Sequence, residues 1–135
     1  MTEAEVEIEI PFHDVDVMGV AWHGHYVKYL EIARCALLDK IDYNYSQMRD
    51  SGYAWPVIDV RIRYPQPLYF QQKVRVKAKL EEWENRLKFS YEIRDTDTSK
   101  RLTRAYTVQV AMDMTSGEML FASPDILYQK LGIEA

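Results

Sequence analysis

The sequence has one cysteine, Cys35, so no internal disulfide is available, and no Cys/His cluster has the spacing of a structural zinc site. Glycine and proline are sparse at five each, and no stretch reads as a linker, a repeat or a low-complexity tract. No apolar run approaches the roughly 20 residues that span a bilayer. The segment from Met1 to Ile10 alternates glutamate with aliphatics where a signal peptide would carry an apolar core. A soluble, unprocessed chain in a reducing, cytoplasmic setting is expected. Excess positive charge is also lacking. Seventeen basic residues face twenty-one acidic ones, for a net charge of -4, which argues against nucleic acid as a partner because its binding needs a clustered basic face. A phosphate-bearing small molecule stays within reach of local basic groups.

What is present suffices for one domain over residues 1–135, burying roughly two-thirds of the surface that the unfolded chain exposes. Ten tyrosines and three tryptophans supply apolar area that suits a core, a pocket or an interface equally. Val6, Ile8, Ile10 and Phe12 alternate with polar residues and Pro11, which predicts a first strand. Tyr26, Leu30, Ala33, Leu37 and Ile41 then recur at helical spacing, predicting one long helix over 23–41. Strands follow over 55–64, 74–80, 87–93 and 102–114, with a hairpin at 82–86. Thr115-Ser116-Gly117 reads as a tight turn, and Ser123-Pro124-Asp125 as the cap and first turn of a terminal helix. This order describes an α+β domain. One helix cannot cover both faces of such a sheet, so a homo-oligomer is expected to cover the rest.

Between the first strand and the helix lies His13-Asp14-Val15-Asp16-Val17-Met18-Gly19-Val20-Ala21-Trp22-His23-Gly24-His25-Tyr26. Two carboxylates and three histidines crowd this stretch, Gly19 lets the backbone bend, and the helix start offers unpaired N–H groups suited to a developing oxyanion. The run from Asp14 to His23 resembles the signature of the 4-hydroxybenzoyl-CoA thioesterase family. The likeness continues through Tyr29-Leu30-Glu31-Ile32-Ala33-Arg34 and Tyr64-Pro65-Gln66-Pro67-Leu68. That resemblance implies the hotdog fold, an antiparallel sheet wrapped around one long helix, and hydrolysis of acyl-CoA thioesters by a dimer or dimer of dimers with sites at subunit interfaces. No cofactor and no metal is implied.

Carried over by position, the resemblance makes Asp16 the carboxylate that attacks the thioester or activates water, and His23 the residue whose backbone N–H polarises the carbonyl. Gly19, Trp22 and Tyr26 become substrate-binding candidates, with Met18 and Tyr53 as further pocket residues. Met18 stands where the family often has a second glycine. Arg86 and Lys88 resemble the positions that contact coenzyme A phosphates. A hydratase acting on CoA-linked acyl chains and a non-catalytic acyl-thioester binding module are the alternative functions.

Other residues read more simply. Asp14 suits a turn or helix cap, His13 a loop and His25 a helix face. Glu31 and Arg34 suit a surface pair, and Cys35 a packed helix position. Arg61, Arg63 and Tyr64 suit the solvated face and end of a strand, with Asp59 as a candidate ion-pair partner for Arg61.

Overall fold

The computed structural model describes residues 2–134. Strand β1 (Glu3–Glu9) turns its glutamates outward and its Ala4, Val6 and Ile8 toward the core. The alternation stops earlier than the sequence suggests. Ile10 is buried, but after Pro11 a 3-10 turn over Phe12–Asp14 swings Phe12 out to 75% exposure. Proline has no N–H with which to continue a ladder.

The predicted long helix is present with a tighter start: a 3-10 turn, His23–His25, leads directly into α1 (Tyr26–Lys40). Tyr26, Leu30, Ala33 and Leu37 are buried along one stripe, joined by Tyr29. Cys35 falls off that stripe and is exposed, which corrects the expectation of a packed thiol. Glu31 and Arg34 do not pair within ion-pair distance. Arg34 instead turns toward Tyr91, whose hydroxyl burial pushes up while Thr107 and Arg34 pull it down.

A short helix, α2 (Tyr45–Asp50), was not predicted. Its signal is Asn44-x-x-Gln47, a reciprocal capping box in which the Gln47 N–H donates to Asn44 Oδ1 (3.0 Å) and the Asn44 N–H donates to Gln47 Oε1 (2.8 Å).

The strand expected over 55–64 is β3 (Val57–Arg63), which starts only after Pro56, and a short strand that was not expected, β2 (Tyr53–Ala54), precedes that proline. Strands β4 (Lys73–Glu82) and β5 (Leu87–Asp95) form the predicted hairpin. The last long strand, expected over 102–114, divides into β6 (Arg101–Gln109) and β7 (Met112–Asp113). Both breaks fall at one corner, where the Val110 N–H donates to the Pro56 carbonyl, and β2 and β7 leave as a separate two-stranded ribbon. The main sheet is antiparallel with five strands in the order β1-β4-β5-β6-β3.

Helix α1 lies across β1 and β4. Beneath it, Val74, Val76, Ala78 and Leu80 of β4 interleave with Leu87, Phe89, Tyr91 and Ile93 of β5, all buried. Burying such side chains stabilises by roughly 1.5–3 kcal/mol each, so this layer anchors the fold. The terminal helix α3 (Asp125–Leu131) takes Pro124 as its cap residue. Ser123, expected to cap it, is buried with its Oγ unpaired. At the sheet edge, β3 leaves Val57, Ile58 and Val60 exposed beside unpaired backbone groups.

Candidate active site

The candidate carboxylate sits on a tight turn. Val15 bridges Ala21, and between them the Asp16 N–H donates to the Val20 carbonyl (3.0 Å) and the Gly19 N–H to the Asp16 carbonyl (2.9 Å). Aspartate first and glycine fourth suit such a turn. Gly19 has φ +77°, so the turn needs a residue free of the left-handed penalty at that position, while Met18 meets no such demand. The absence of a second glycine therefore leaves the turn intact. One Asp16 oxygen, Oδ1, accepts the Met18 N–H at 2.8 Å, and Oδ2 has no protein partner among the described residues. The carboxylate is thus held by one arm and free at the other. It borders an open apolar recess of about 550 Å³ lined by Phe12, Val15, Val17, Gly19 and Phe70.

Asp14 differs from the turn or cap residue the sequence suggests. It is 1% exposed. Lys28 Nζ lies 2.7 Å from both of its oxygens, and the Tyr29 hydroxyl donates to Oδ2 at 2.7 Å. His13 Nε2 and His25 Nδ1 each stand 3.7 Å from Oδ1. Burial by itself would raise the Asp14 pKa. The hydrogen bonds from Lys28 and Tyr29 outweigh it, with help from the Lys28 and His25 charges, and hold the carboxyl below its ordinary 3.8. Burial, and then the same carboxylate, push the Tyr29 hydroxyl well above the usual phenol range.

Asp14 also joins the two halves of the site. Its carbonyl accepts the Trp22 N–H at 3.0 Å, so the turn bearing Asp16 closes against the residue that precedes the helix start. The N–H groups of His23 and Gly24, first in the helical segment, meet no acceptor among the described residues. Trp22 packs against this segment, its ring 5.1 Å from that of His23 and 5.5 Å from that of His25. A Cβ on Gly24 would overlap the Trp22 ring, so glycine is required here for the indole to lie as it does. Tyr64, which follows β3, stacks on His23 with centroids 6.4 Å apart.

The structure places Asp16 and Gly19 on one turn beside one recess, and ties that turn to Trp22 and His23 through the Asp14–Trp22 hydrogen bond. Tyr26 is 2% exposed and packs on Tyr29 and Tyr64 as part of the core, with burial, then Tyr64, pushing its hydroxyl up to about 12. Tyr53 lines a separate, largely apolar cavity of about 530 Å³ between α1, α2 and the β2–β7 ribbon, with Cys35, Met48 and Trp55. Arg86 is committed to Glu82 at 2.7 Å. Lys88 lies 4.8 Å from the centre of the Tyr106 ring. Sequence reading missed Lys28 as a partner of Asp14. The signal was helical spacing, since Lys28 and Tyr29 fall in the first turn of α1, where side chains project back over the preceding segment.

The model of the thioesterase-like superfamily matches residues 10–130. The chain belongs to the thioesterase-like superfamily. The curated relatives include YneP of Bacillus subtilis, a candidate acyl-CoA thioesterase, 31% identical over 83 residues. That stretch covers 62% of this chain and 60% of YneP. Among solved structures, a DHNA-CoA thioesterase from Staphylococcus aureus is 27% identical, covering 90% of this chain and 81% of that one with a TM-score of 0.81. A 1,4-dihydroxy-2-naphthoyl-CoA thioesterase from Synechocystis, 17% identical, shares the fold with a TM-score of 0.85 over 96% of both chains. The superfamily fold is the hotdog, here an antiparallel sheet against one long helix.

Proposed function

We propose that this chain hydrolyses acyl-CoA thioesters, with Asp16 as nucleophile or general base and the helix start at His23 as the oxyanion donor. The observation that carries the reading is the pairing of a half-held carboxylate with unpaired helix-start N–H groups, linked by the bond from Trp22 to Asp14. Charge that develops on the thioester oxygen is stabilised by these unpaired N–H groups. The Asp16 carboxylate either attacks the carbonyl carbon, expelling the thiolate and leaving a mixed anhydride for water to open, or takes a proton from the water that attacks. A thiolate leaves readily, so the reaction does not depend on strong protonation of sulfur.

The reading includes assembly. Phe12, Val17, Met18, Trp22, Tyr69 and Phe70 are all exposed around the Asp16 turn, and Phe12 meets Phe70 edge-on at 5.7 Å. An apolar patch of this kind marks an association surface. A second copy seated on it, with the exposed edge of β3, encloses the recess and shields the carboxylate from water, which strengthens every charge interaction within. The test is a thiol-release screen over aliphatic and aromatic acyl-CoAs, with enoyl-CoA included. Thiol release from acyl-CoA supports the reading, and hydration of enoyl-CoA without thiol release overturns it.

A further inference from the structure

The outer face of the sheet carries a cluster of positive charge on an otherwise acidic chain. Arg63 of β3 stands directly opposite Arg104 of β6, and Arg61 opposite Tyr106. Lys88, from β5, lies over the Tyr106 ring. Arg61, Arg63, Arg104 and Tyr106 line a shallow cavity of about 280 Å³. The acids on this face are occupied. Glu92, opposite Arg104, is engaged by Arg94 at 3.0 Å and Arg101 at 3.8 Å, and Asp59 accepts the Tyr106 hydroxyl at 3.4 Å. None of the three clustered arginines has a carboxylate within ion-pair distance among the described residues. Like charges directly opposite each other destabilise a sheet, so the Arg63–Arg104 pair opposes folding until an anion lies between them.

We propose that this cluster binds the phosphates of the adenine nucleotide in acyl-coenzyme A. Guanidinium groups match phosphate oxygens two at a time, and Lys88, steadied by Tyr106, adds a point charge. The cluster is joined to the candidate active site by the chain itself. Tyr64 follows Arg63, and its ring stacks on His23 and meets Tyr26 at 5.0 Å. Successive Cα atoms lie about 3.8 Å apart, so Arg63 begins one residue from the side chain that touches the helix start. The long, flexible pantetheine arm runs from the cluster past Tyr64 to the thioester position. This assignment rests on the thioester-hydrolase reading, and it moves the phosphate contacts from Arg86, already paired, to Arg61, Arg63 and Arg104.

The experiment titrates the whole protein with adenosine 3′,5′-bisphosphate at low ionic strength, in wild type and in the double variant Arg61→Ala/Arg104→Ala, with adenosine and inorganic phosphate as controls. Saturable binding of the bisphosphate, tighter than either control and weakened roughly tenfold or more in the double variant, is expected. Circular dichroism verifies that the variant is folded, and removal of a like-charge neighbour from the unliganded sheet favours that outcome. No binding by wild type, binding no tighter than phosphate, or equal binding by the variant overturns the assignment. A kinetic arm separates the two claims. The variant raises KM for acyl-CoA and leaves hydrolysis of an acyl-N-acetylcysteamine thioester, which lacks the nucleotide, unchanged. If wild type releases thiol from neither substrate, the hydrolase reading fails, and the bisphosphate titration still decides the nucleotide site.

Discussion

Lys28 closes on Asp14 with its ammonium nitrogen 2.7 Å from both carboxylate oxygens, one partner half exposed and the other fully buried. A buried carboxylate stripped of such partners is strongly disfavoured, so this pair, with Tyr29, fixes the chain before and after the Asp16 turn. Asp14 is thereby a positioning group for the site.

Replacing Asp14 by Asn should therefore cost stability, by about 2–3 kcal/mol from the weakened hydrogen bonds to Lys28 and Tyr29. The pH dependence has a definite sign. Because the native pKa lies below 3.8, the stabilisation is complete above that value and is lost as pH falls through the native pKa. Denaturant melts of wild type and variant should differ by a constant amount above about pH 5 and converge in stronger acid. A constant difference down to the lowest pH would remove the ion pair from this role.

At Gly19, a change to alanine places a Cβ in left-handed backbone and should cost roughly 1–2 kcal/mol. Asparagine, which tolerates that conformation better, should recover part of the loss. Activity should follow the same order, since the turn carries the Asp16 carboxylate. Thermal melts and thiol release on the three proteins test the ranking.

Much of this was legible in the sequence, and the reasons are physical. The alternation of Val74–Leu80 and Leu87–Ile93 and the stripe of α1 report burial directly, because one face of each element meets the core. At the Asp16 turn the legible sign was Gly19, which lets the backbone bend there. Phe12 misled because alternation continued through Pro11, where the strand cannot. Asp14 misled because its partners come from α1: helical spacing puts Lys28 and Tyr29 in the first turn, but it does not name the residue, fourteen positions before Lys28, that they meet. The breaks near Pro56 and Val110 depend on a corner formed between two strands, so neither sequence alone marks both.

His23→Ala should keep substantial activity, because the proposed donor is the backbone N–H, which alanine retains. The imidazole packs near both Trp22 and Tyr64, so a modest rise in KM is expected from looser packing. A collapse in turnover as deep as that of an Asp16 variant would assign the imidazole a direct part in the reaction.

Light scattering at micromolar concentration should give a dimer or a dimer of dimers. Ile58→Lys, which puts a charge on the exposed edge of β3, should shift the equilibrium toward monomer and lower activity with it. A monomeric wild type with full activity would contradict the enclosed-site account.

The most direct measurement compares Asp16→Asn with wild type and with Asp14→Asn in thiol release and in acyl-CoA affinity. Asparagine keeps an oxygen for the Met18 N–H and so preserves the turn, while removing the nucleophile or base. The account predicts that turnover of Asp16→Asn falls by about 10²–10⁴-fold or more, with affinity and melting temperature little changed, whereas Asp14→Asn loses mainly stability. Equal turnover in Asp16→Asn and wild type would contradict it and leave Asp16 as a turn residue only.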